Sequence, residues 1–472
     1  MPAPSLCASM LAAGLLVPAL AAGQAREVWK SEDGSSALDV GAFDKSFGLA
    51  IRNQSGLVEG SGALRDLFDE VRLVAPDVEV PSIAALPEAG ASVTNTSRVW
   101  GRLLWKNRVE LSAGYEIDAT AASDAALTGG RFLSGPVPAK GLETEGRRLV
   151  DFDHVLVDHG TFLLQHDLDL LAVKVILPKG EIVVGRQVLS WGTGMLWNPT
   201  DLLSPFAPGE VDREVRHGVD AVRFSMPLGK TSLLDLIYLP QQQGWAQGGV
   251  ARVQANTRGF DVSVSAAKYV SDVVLGADTA GDIGPVGVHA EAAYTLGLAN
   301  LAGPGPVEVE ERFLRGVVGA SWRPAESWTL GAEYYFNGFG AGSPGGYASK
   351  LSSDRYVHGE VFGAGRHYVG LSAVRQATPL LSLQMLLLTN LADPSALGIP
   401  VAQYWAAQKV LVRVGGYIPV GARPDPRLLK SLTVSDVLEG SPAFIAATTT
   451  LGLRSEYGAS PWGAFAQVGV YF

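Results

Sequence analysis

A strict alternation of apolar and polar residues is the feature that most constrains the fold of this chain. It is clearest at Val109–Thr120, where one face carries Val109, Leu111, Ala113, Tyr115 and Ile117. The opposite face carries Glu110, Ser112, Gly114, Glu116 and Asp118. A period of two is that of a β-strand whose two faces have different surroundings. Because the pattern recurs at 97–105, 286–296, 314–322 and 330–336, it predicts a large β-sheet.

The apolar residues of the chain are dispersed rather than clustered. Hydrophobic residues make up 47% of the sequence and charged residues 18%, against about 25% charged residues in an average soluble domain. Outside the N-terminal segment, no uncharged apolar stretch reaches the roughly 18 residues that indicate a transmembrane helix. Apolar content distributed by alternation is typical of a transmembrane β-barrel, whose strands place apolar residues outward and polar residues inward.

Residues 1–25 are predicted to be a signal peptide. Leu11–Ala22 is an apolar run of secretory length, and Ala19–Ala21 offers small residues at cleavage spacing. The run is too short to span a bilayer, which needs about 20 apolar residues. Cys7, the only cysteine, lies in this segment, so the mature chain of residues 26–472 has no thiol and no disulfide. A large exported chain without disulfides suits the bacterial envelope.

Composition and motifs argue against several function classes. The net charge is −10, which argues against a nucleic-acid partner. The seven histidines show no metal-ligand spacing, and neither Gly-x-Ser-x-Gly nor a phosphate-binding loop occurs. His154 and His159, with Asp151, Asp153 and Asp158, form a weak candidate for a cation site, and a solvated acidic loop is favoured over it. We therefore predict no metal site, no cofactor and no catalytic residue.

The spacing of turns predicts the number of strands. Eight tight turns are predicted, at Lys106–Arg108, Pro178–Gly180, Pro227–Lys230, Asn256–Gly259, Gly281–Pro285, Arg323–Ser327, Ala377–Pro379 and around Ala407. Most connections between them are longer, at about residues 52–96, 120–160, 191–217, 297–312, 337–365 and 420–460. Because outer-membrane barrels alternate short periplasmic turns with longer outside loops, the prediction is an all-β, antiparallel up-and-down transmembrane barrel of about 18 strands. Sixteen strands remain possible if residues 447–457 belong to the last loop.

Aromatic residues near the predicted turns agree with this topology. Trp322 and Trp328 bracket one tight turn, and Trp105 and Trp405 lie beside two others, at the level of an aromatic belt. The chain ends in an alternating segment and Phe472, which looks like the C-terminal signal that the barrel assembly machinery recognises. We therefore expect three kinds of partner: outer-membrane lipid with lipopolysaccharide, this assembly machinery, and an unidentified solute.

The stretch Gly180–Phe206 is the most unusual part of the sequence. Its first half, Gly180–Ser190, is rich in Val and Ile and predicts a strand. The loop that follows, residues 191–217, has the Trp, Gly, Asn and Pro content of an ordered loop rather than a helix. Its aromatic side chains are too apolar to remain in water without a packing site.

The phrase Gly-Arg-Gln, Trp-Gly-x-Gly, Trp-Asn-Pro-Thr-Asp within Gly185–Pro205 resembles a group of porin-like bacterial outer-membrane β-barrels similar to the alginate-export family. In strand order and length the resemblance extends over nearly all of the mature chain, whereas only this phrase and the C-terminus are motif-like. It implies an eighteen-stranded barrel that acts as a channel. The lumen of the alginate exporters is rich in arginine and suits a polyanion, whereas the lumen predicted here is mixed and slightly acidic.

We predict that loop 191–217 folds inward and constricts the pore, because a barrel of about 18 strands would otherwise be an open aqueous hole. The candidate residues are Arg186, Gln187, Trp191, Trp197, Asn198 and Asp201. Arg186 is expected to hold the loop through backbone carbonyls or Asp201, rather than to screen solutes by charge. Asn198 and Asp201 are expected to bond local backbone. The alternative is a loop that only caps the barrel rim.

Charged residues on the predicted lumen face complete the candidate set: Arg98, Arg102, Glu110, Arg223, Glu291, Arg315 and Glu333. They are expected to pair across neighbouring strands, because opposite charges placed there stabilise a sheet without a ligand. The expected pairs are Arg223 with Asp235, Arg252 with Asp261, and Arg315 with both Glu291 and Glu333.

These observations favour a passive outer-membrane channel for a solute or an exported polymer, and not an enzyme. An energy-coupled receptor is disfavoured because it would need about 22 strands and a separate plug domain. Two alternatives stay open. One is a structural or adhesive barrel with a sealed lumen, and the other is an outer-membrane hydrolase.

Overall fold

The computed structural model describes residues 43–59, 89–123, 148–211, 213–301, 306–351, 353–357, 359–423, 453–460 and 462–472. The predicted signal peptide, residues 1–25, lies outside them. The described strands are β1 (Phe43–Glu59), β2 (Ala89–Trp105), β3 (Val109–Ala122), β4 (His154–Asp158), β5 (Phe162–Leu177), β6 (Gly180–Gln187), β7 (Val219–Pro227), β8 (Ser232–Leu239), β9 (Gly248–Thr257), β10 (Phe260–Tyr269), β11 (Asp272–Ile283), β12 (Val286–Ala299), β13 (Glu308–Ala325), β14 (Trp328–Asn337), β15 (His367–Thr378), β16 (Leu381–Asn390), β17 (Ser395–Ala407), β18 (Val410–Val420) and β19 (Gly463–Tyr471).

Eighteen of these strands form a closed antiparallel barrel. Consecutive wall strands pair with each other, and β1 pairs with both β2 and β19, which closes the ring. The exception is β4, a five-residue strand that extends the sheet beside the part of β5 that β6 does not reach. The predicted 18-strand barrel is confirmed, and the sixteen-strand alternative is wrong, because the ring contains eighteen paired strands and needs none from the described residues 453–460.

The two faces of the wall have opposite chemistry, as the alternation predicts. On β3, Leu111 is 40% exposed on the outside, whereas the lumen-facing Glu116 is 1% exposed. The same inversion holds on β13, where Val318 is exposed and Arg315 is buried. Apolar side chains on an exposed outer face and buried charges inside invert the usual arrangement of a soluble protein. They match the lipid-facing and lumen-facing sides of a transmembrane barrel.

All eight predicted tight turns join strand ends at one end of the barrel. Between β9 and β10 the two linking residues, Arg258 and Gly259, have φ values of 53° and 86°. Positive φ at both positions is the requirement of the type I′ turn, whose twist matches that of the flanking strands. At the other end the connections are mostly longer. The predicted loop 52–96 is too long, however, because β1 continues to residue 59 and β2 begins at residue 89.

The core of the protein lies inside the barrel. Two apolar clusters combine wall side chains with side chains of residues 188–218. Side chains of the segments 338–366 and 453–460 also pack against the wall or against each other, at the end of the barrel with the longer connections. Short helical turns at Tyr347–Leu351 and Asp354–Val357 belong to the first of these segments. Among the described residues, no helix is long and apolar enough to cross a membrane.

Candidate functional site: a loop folded into the barrel lumen

Residues 188–218, which we call the inner loop, connect β6 to β7 and fold into the lumen. Leu196 and Trp197 are buried in one cluster with Tyr335 of β14 and Tyr368 of β15. The rings of Trp197 and Tyr335 are stacked, with centroids 5.3 Å apart and 13° between their planes. Both tyrosines alternate with outward-facing residues, so they lie on the lumen side of the wall. The inner loop therefore lies inside the barrel rather than on its rim.

Two wall carboxylates hold the part of the inner loop around residues 193–200. Glu291 of β12 accepts hydrogen bonds from the backbone amides of Thr193 at 2.9 Å and Thr200 at 2.6 Å, and from the Thr200 hydroxyl at 2.8 Å. Glu333 of β14 accepts from the amides of Met195 and of Leu196, the latter at 2.9 Å. Hydrogen bonds to a carboxylate are about twice as strong as neutral ones. These two side chains are therefore the main polar anchors of the loop.

The expected pairing of Arg315 with Glu291 and Glu333 is wrong. In the register of β13, Val317 lies opposite Glu291 and Gly319 lies opposite Glu333. Arg315 instead donates to the backbone carbonyl of Glu360, in the segment that follows β14. The two carboxylates are occupied by loop amides, and His289 adds a contact of 2.7 Å between its Nε2 and Glu333 Oε1.

Three glycines on the lumen side of the wall leave space for the inner loop. A Cβ atom added at Gly276 would lie 2.9 Å from Thr200 Cγ2, and one at Gly331 would lie 2.8 Å from Met195 Cε. A Cβ atom at Gly370 would lie 2.3 Å from Leu196 Cδ1. Contacts this short cannot form without displacement, so β11, β14 and β15 lack side chains where the loop packs on them.

The inner loop is also braced by its own charges. Asp201 accepts from the Ser190 hydroxyl at 2.7 Å and from Arg216 at 2.6 Å. Burial raises the pKa of the Asp201 carboxyl, against the lowering effect of these two donors. Arg213 donates to the carbonyls of Met195 at 3.0 Å and Pro208 at 2.9 Å.

Asn198 and Asp201, both predicted to bond local backbone, lie within this braced part of the loop. The amide of Ser204 lies 3.4 Å from Asp201 Oδ1. The Asn198 carbonyl accepts the Asp201 amide at 3.1 Å. Trp191 packs at the edge of the second apolar cluster, so its indole contributes to the packing of the loop.

A further tether joins the inner loop to the seam of the barrel. Glu214 receives a hydrogen bond from Arg413 of β18 and one of 2.7 Å from the hydroxyl of Tyr471 in β19. The loop begins and ends at β6 and β7, is anchored on β12 and β14, and reaches β18 and β19. It therefore crosses the lumen and occupies part of it.

The prediction that Arg186 holds the inner loop is wrong. Arg186 lies opposite Leu171, whose side chain points out of the barrel, and opposite Asp220. Its Nε is 2.9 Å from Asp220 Oδ1, and its other nitrogens donate to the carbonyls of Leu168 and Val150. Its Nη1 also lies 3.8 Å from Asp167 Oδ1. Arg186 therefore fastens the segment before β4 to β5 and β7, and none of its partners lies in residues 191–206.

Gln187, the second predicted residue at the end of this strand, is buried in the wall. Its amide nitrogen donates to the carbonyls of Ala221 at 3.2 Å and Val183 at 3.3 Å. The side chain therefore links β6 and β7 instead of lining a water-filled passage.

Other lumen charges pair across strands. Arg98 lies 2.6 Å from Asp169, Arg102 lies 2.8 Å from Glu110, and Arg223 lies 2.8 Å from Asp235. The expected contact of Arg252 with Asp261 is wrong, because Arg252 lies opposite Ser265, four residues further along β10. Arg252 donates to Gln254 Oε1 at 2.9 Å and to the Ser263 hydroxyl at 3.0 Å, and the carboxylate it approaches is that of Asp278, at 3.8 Å.

In the pairs near the tight turns, the cation is more exposed than the carboxylate. The Arg102 side chain is 51% exposed and that of its partner Glu110 is 11% exposed. The Arg223 side chain is 28% exposed and that of Asp235 is 9% exposed. Lys174, 3.2 Å from Glu110, follows the same order. Around Glu110 and Asp235, water therefore meets the cations before the carboxylates, whereas Asp261 and Asp282, on the same face as Ser263 and Asp278, are exposed carboxylates.

The described residues contain no group of three or more His, Cys, Asp and Glu side chains that could hold a metal ion. His154, one of the residues of the weak cation-site candidate, lies in β4 with its ring edge-on to that of His166 at 5.8 Å.

No protein-family model and no curated protein matches this sequence. Among solved structures, OccAB1 of Acinetobacter baumannii is similar over 94% of this chain and 99% of its own, with 10% identity and a TM-score of 0.51. OccK5 (OpdH) of Pseudomonas aeruginosa is similar over 91% of this chain and 98% of its own, with 10% identity and a TM-score of 0.49. The likeness to OccAB1 shows that the two chains share the barrel fold.

Proposed function

We propose that this protein is a bacterial outer-membrane channel for the passive passage of a solute or an exported polymer. The observation that carries the proposal is the inner loop, which is anchored by Glu291 and Glu333 within a closed barrel whose outer face is apolar. A barrel of about this size has a lumen wide enough for water and small solutes. A loop fastened across such a lumen sets the width of the passage.

Partly exposed charges in the lumen support an open channel over a sealed barrel. A sealed interior would have to bury and fully pair its charges, because unpaired charges in a dry interior are costly. Arg102 is half-exposed, and Lys174 and Arg223 also keep contact with water. The lumen below the inner loop is therefore hydrated in this proposal.

The same three cations favour an anionic solute at the wall around β2, β5 and β7, since charged side chains along a pore select permeating ions by sign; elsewhere the lumen face is mixed in charge, as predicted. The likeness of the Gly185–Pro205 phrase to the alginate-export family adds support for an anionic polymer as one candidate. A small anion is the other candidate, because the anchored inner loop narrows the passage. The two differ in size, and blockade of small-ion current by oligomers of increasing length would separate them.

Single-channel recording in planar bilayers tests the proposal. The purified mature chain, shown to be a closed barrel by its different gel migration before and after heating, should produce discrete conductance steps. A heat-modifiable barrel that gives no step at any voltage would overturn the channel and leave the sealed barrel or the outer-membrane hydrolase. Incubation of that protein with polysaccharide and ester substrates would then distinguish these two.

A further inference from the structure

A groove of about 570 Å³ lies on the outer face of the wall, across β13 to β16. Eight of its eleven lining residues face outward: Ala320, Trp322, Leu330, Ala332, Leu371, Ala373, Met385 and Leu387. The other three, Ser321, Gly331 and Ser372, lie between them in the strands. The register explains its shape, because Ala320 lies opposite Ala332 and the next row places Leu330 opposite Ala373. Methyl side chains at adjacent positions leave a hollow between the larger side chains of Trp322, Leu371 and Met385. The volume falls within the range of about 300–1,000 Å³ that is typical of small-ligand sites.

A cation lies at one end of this groove. Arg375 is exposed and follows Ala373 by two residues on the same face of β15, a distance of about 7 Å along the strand. It lies opposite Trp328, and its guanidinium carbon is 5.5 Å from the centroid of the indole ring. A stacked guanidinium keeps its edge available for a phosphate, which it binds through two parallel hydrogen bonds.

The groove and Arg375 lie at the end of the barrel with the tight turns. Short turns face the periplasm in outer-membrane barrels, and glycerophospholipids make up the periplasmic leaflet of that membrane. The apolar hollow extends from Arg375 toward the middle of the wall, which is the direction of an acyl chain below its headgroup. The apolar lining, the cation at the level of the lipid headgroups and the phospholipid content of this leaflet together point to one class of ligand.

We infer that this groove binds one acyl chain of a glycerophospholipid, with the lipid phosphate at the Arg375 guanidinium. The site rests on the outer-membrane placement of the barrel and not on conduction. Binding here would fasten one lipid to the wall beside β14, which carries Glu333 on its opposite face.

Native mass spectrometry of the delipidated, detergent-solubilised protein with added phosphatidylglycerol tests this site. Wild type should retain one lipid more tightly than any further lipid. Arg375→Gln and Ala332→Leu should each weaken this first binding about tenfold, the first by removing the phosphate partner and the second by filling the groove. Arg312→Gln and Ala292→Leu, exposed residues of β13 and β12 outside the groove, are the matched controls and should bind as wild type does.

A second measurement keeps the inference testable if the groove-filling variant fails to assemble. Trp322 lines the groove, and its fluorescence emission is obtained as the difference between wild type and Trp322→Phe. Acyl-brominated phosphatidylglycerol should quench this emission more than it quenches the emission of the other tryptophans. Equal lipid retention in Arg375→Gln and Arg312→Gln, together with no preferential quenching, would overturn the site. The site would also be overturned if the wild type is an oligomer that Ala332→Leu converts to a monomer. The groove would then be covered by a second copy of the chain.

Discussion

The carboxylate of Glu333 and the backbone amide of Leu196 lie 2.9 Å apart, although 137 residues separate them along the chain. A side chain of the wall, rather than a turn within the loop, thus holds the segment that crosses the lumen. Glu291 does the same for Thr193 and Thr200. The position of the inner loop in the lumen therefore depends on two carboxylates whose partners are distant in sequence.

Replacing either anchor should loosen the inner loop. Glu333→Gln loses the charge that faces the amides of Met195 and Leu196, and a hydrogen bond to a charged group contributes about 1.5–3 kcal/mol. We expect open-channel current noise to increase severalfold in planar bilayers, while the barrel still shows heat-modifiable migration. Glu308→Gln, an exposed carboxylate at the start of β13, is the control. Noise equal to that of the control would mean that other contacts hold the loop.

A larger side chain at one of the three lumen-facing glycines should displace the inner loop from the wall. Gly370→Val adds atoms where Leu196 Cδ1 and Trp197 already lie. Overpacking of this kind costs about 1–3 kcal/mol, which denaturant unfolding would detect, and the displaced loop should lower the mean conductance. Gly342→Ala has no atom within 4 Å of the added carbon and should behave as wild type. Identical conductance in the two variants would contradict the packing of the loop against β15.

The exposed cations of the lumen should make the channel prefer anions. Arg102→Gln and Lys174→Gln remove the more exposed members of the cluster around Glu110. We expect the reversal potential in a KCl gradient to shift toward cation preference in both variants, and further in the double variant. Lys230→Gln, at a tight turn outside the lumen, should leave the potential unchanged. No shift in the double variant would show that another part of the lumen selects ions.

Charged substitutions on the outer face should lower the free energy of unfolding of the barrel. Val318→Arg, on the exposed side of β13, should destabilise the barrel by about 2–4 kcal/mol if the residue lies near the bilayer midplane. Ser112→Arg, on the lumen face of β3, should be better tolerated. Alternation alone predicts the same tolerance at Gly331, but the contact with Met195 makes Gly331→Arg unfavourable. Unfolding in lipid vesicles measures all three, and equal costs for Val318→Arg and Ser112→Arg would contradict the assignment of faces.

The terminal residue should matter for assembly. The amide of Phe472 donates to the carbonyl of Leu49 at 2.9 Å, so the end of the chain is part of the closing seam. Deleting Phe472 should reduce the amount of heat-modifiable barrel in the outer membrane. Phe472→Tyr keeps the aromatic ring and should assemble normally. Full assembly of the deletion would argue against Phe472 as an assembly signal.

The wall could be predicted from sequence because its rules are local. Period-two alternation places Leu111 and Glu116 on opposite faces, and turn residues such as Arg258 and Gly259 mark where strands end. These signals need no knowledge of partners. They also predict neighbouring cross-strand pairs, such as Arg223 with Asp235.

The contacts of the inner loop could not be predicted in this way. Glu291 and Glu333 are separated from their loop partners by 98 and 137 residues, and alternation says only that they face the lumen. Pairing them with Arg315 followed sequence proximity, whereas the structure assigns Arg315 to the carbonyl of Glu360. Arg186 illustrates a different limit. Its position before an unusual loop suggested a contact with that loop, whereas its partners, Asp220 and the carbonyls of Leu168 and Val150, belong to other segments.

The tether from Glu214 to Tyr471 has a consequence for the order of assembly. Tyr471 belongs to β19, the strand that meets β1 to close the ring. The inner loop can make this contact only once the C-terminal strand is in place, and its anchors on β12 and β14 must also form after those strands are synthesised. The final position of the inner loop in the lumen is therefore set late in assembly. If the seam between β1 and β19 opens, this position should be lost before the rest of the wall changes.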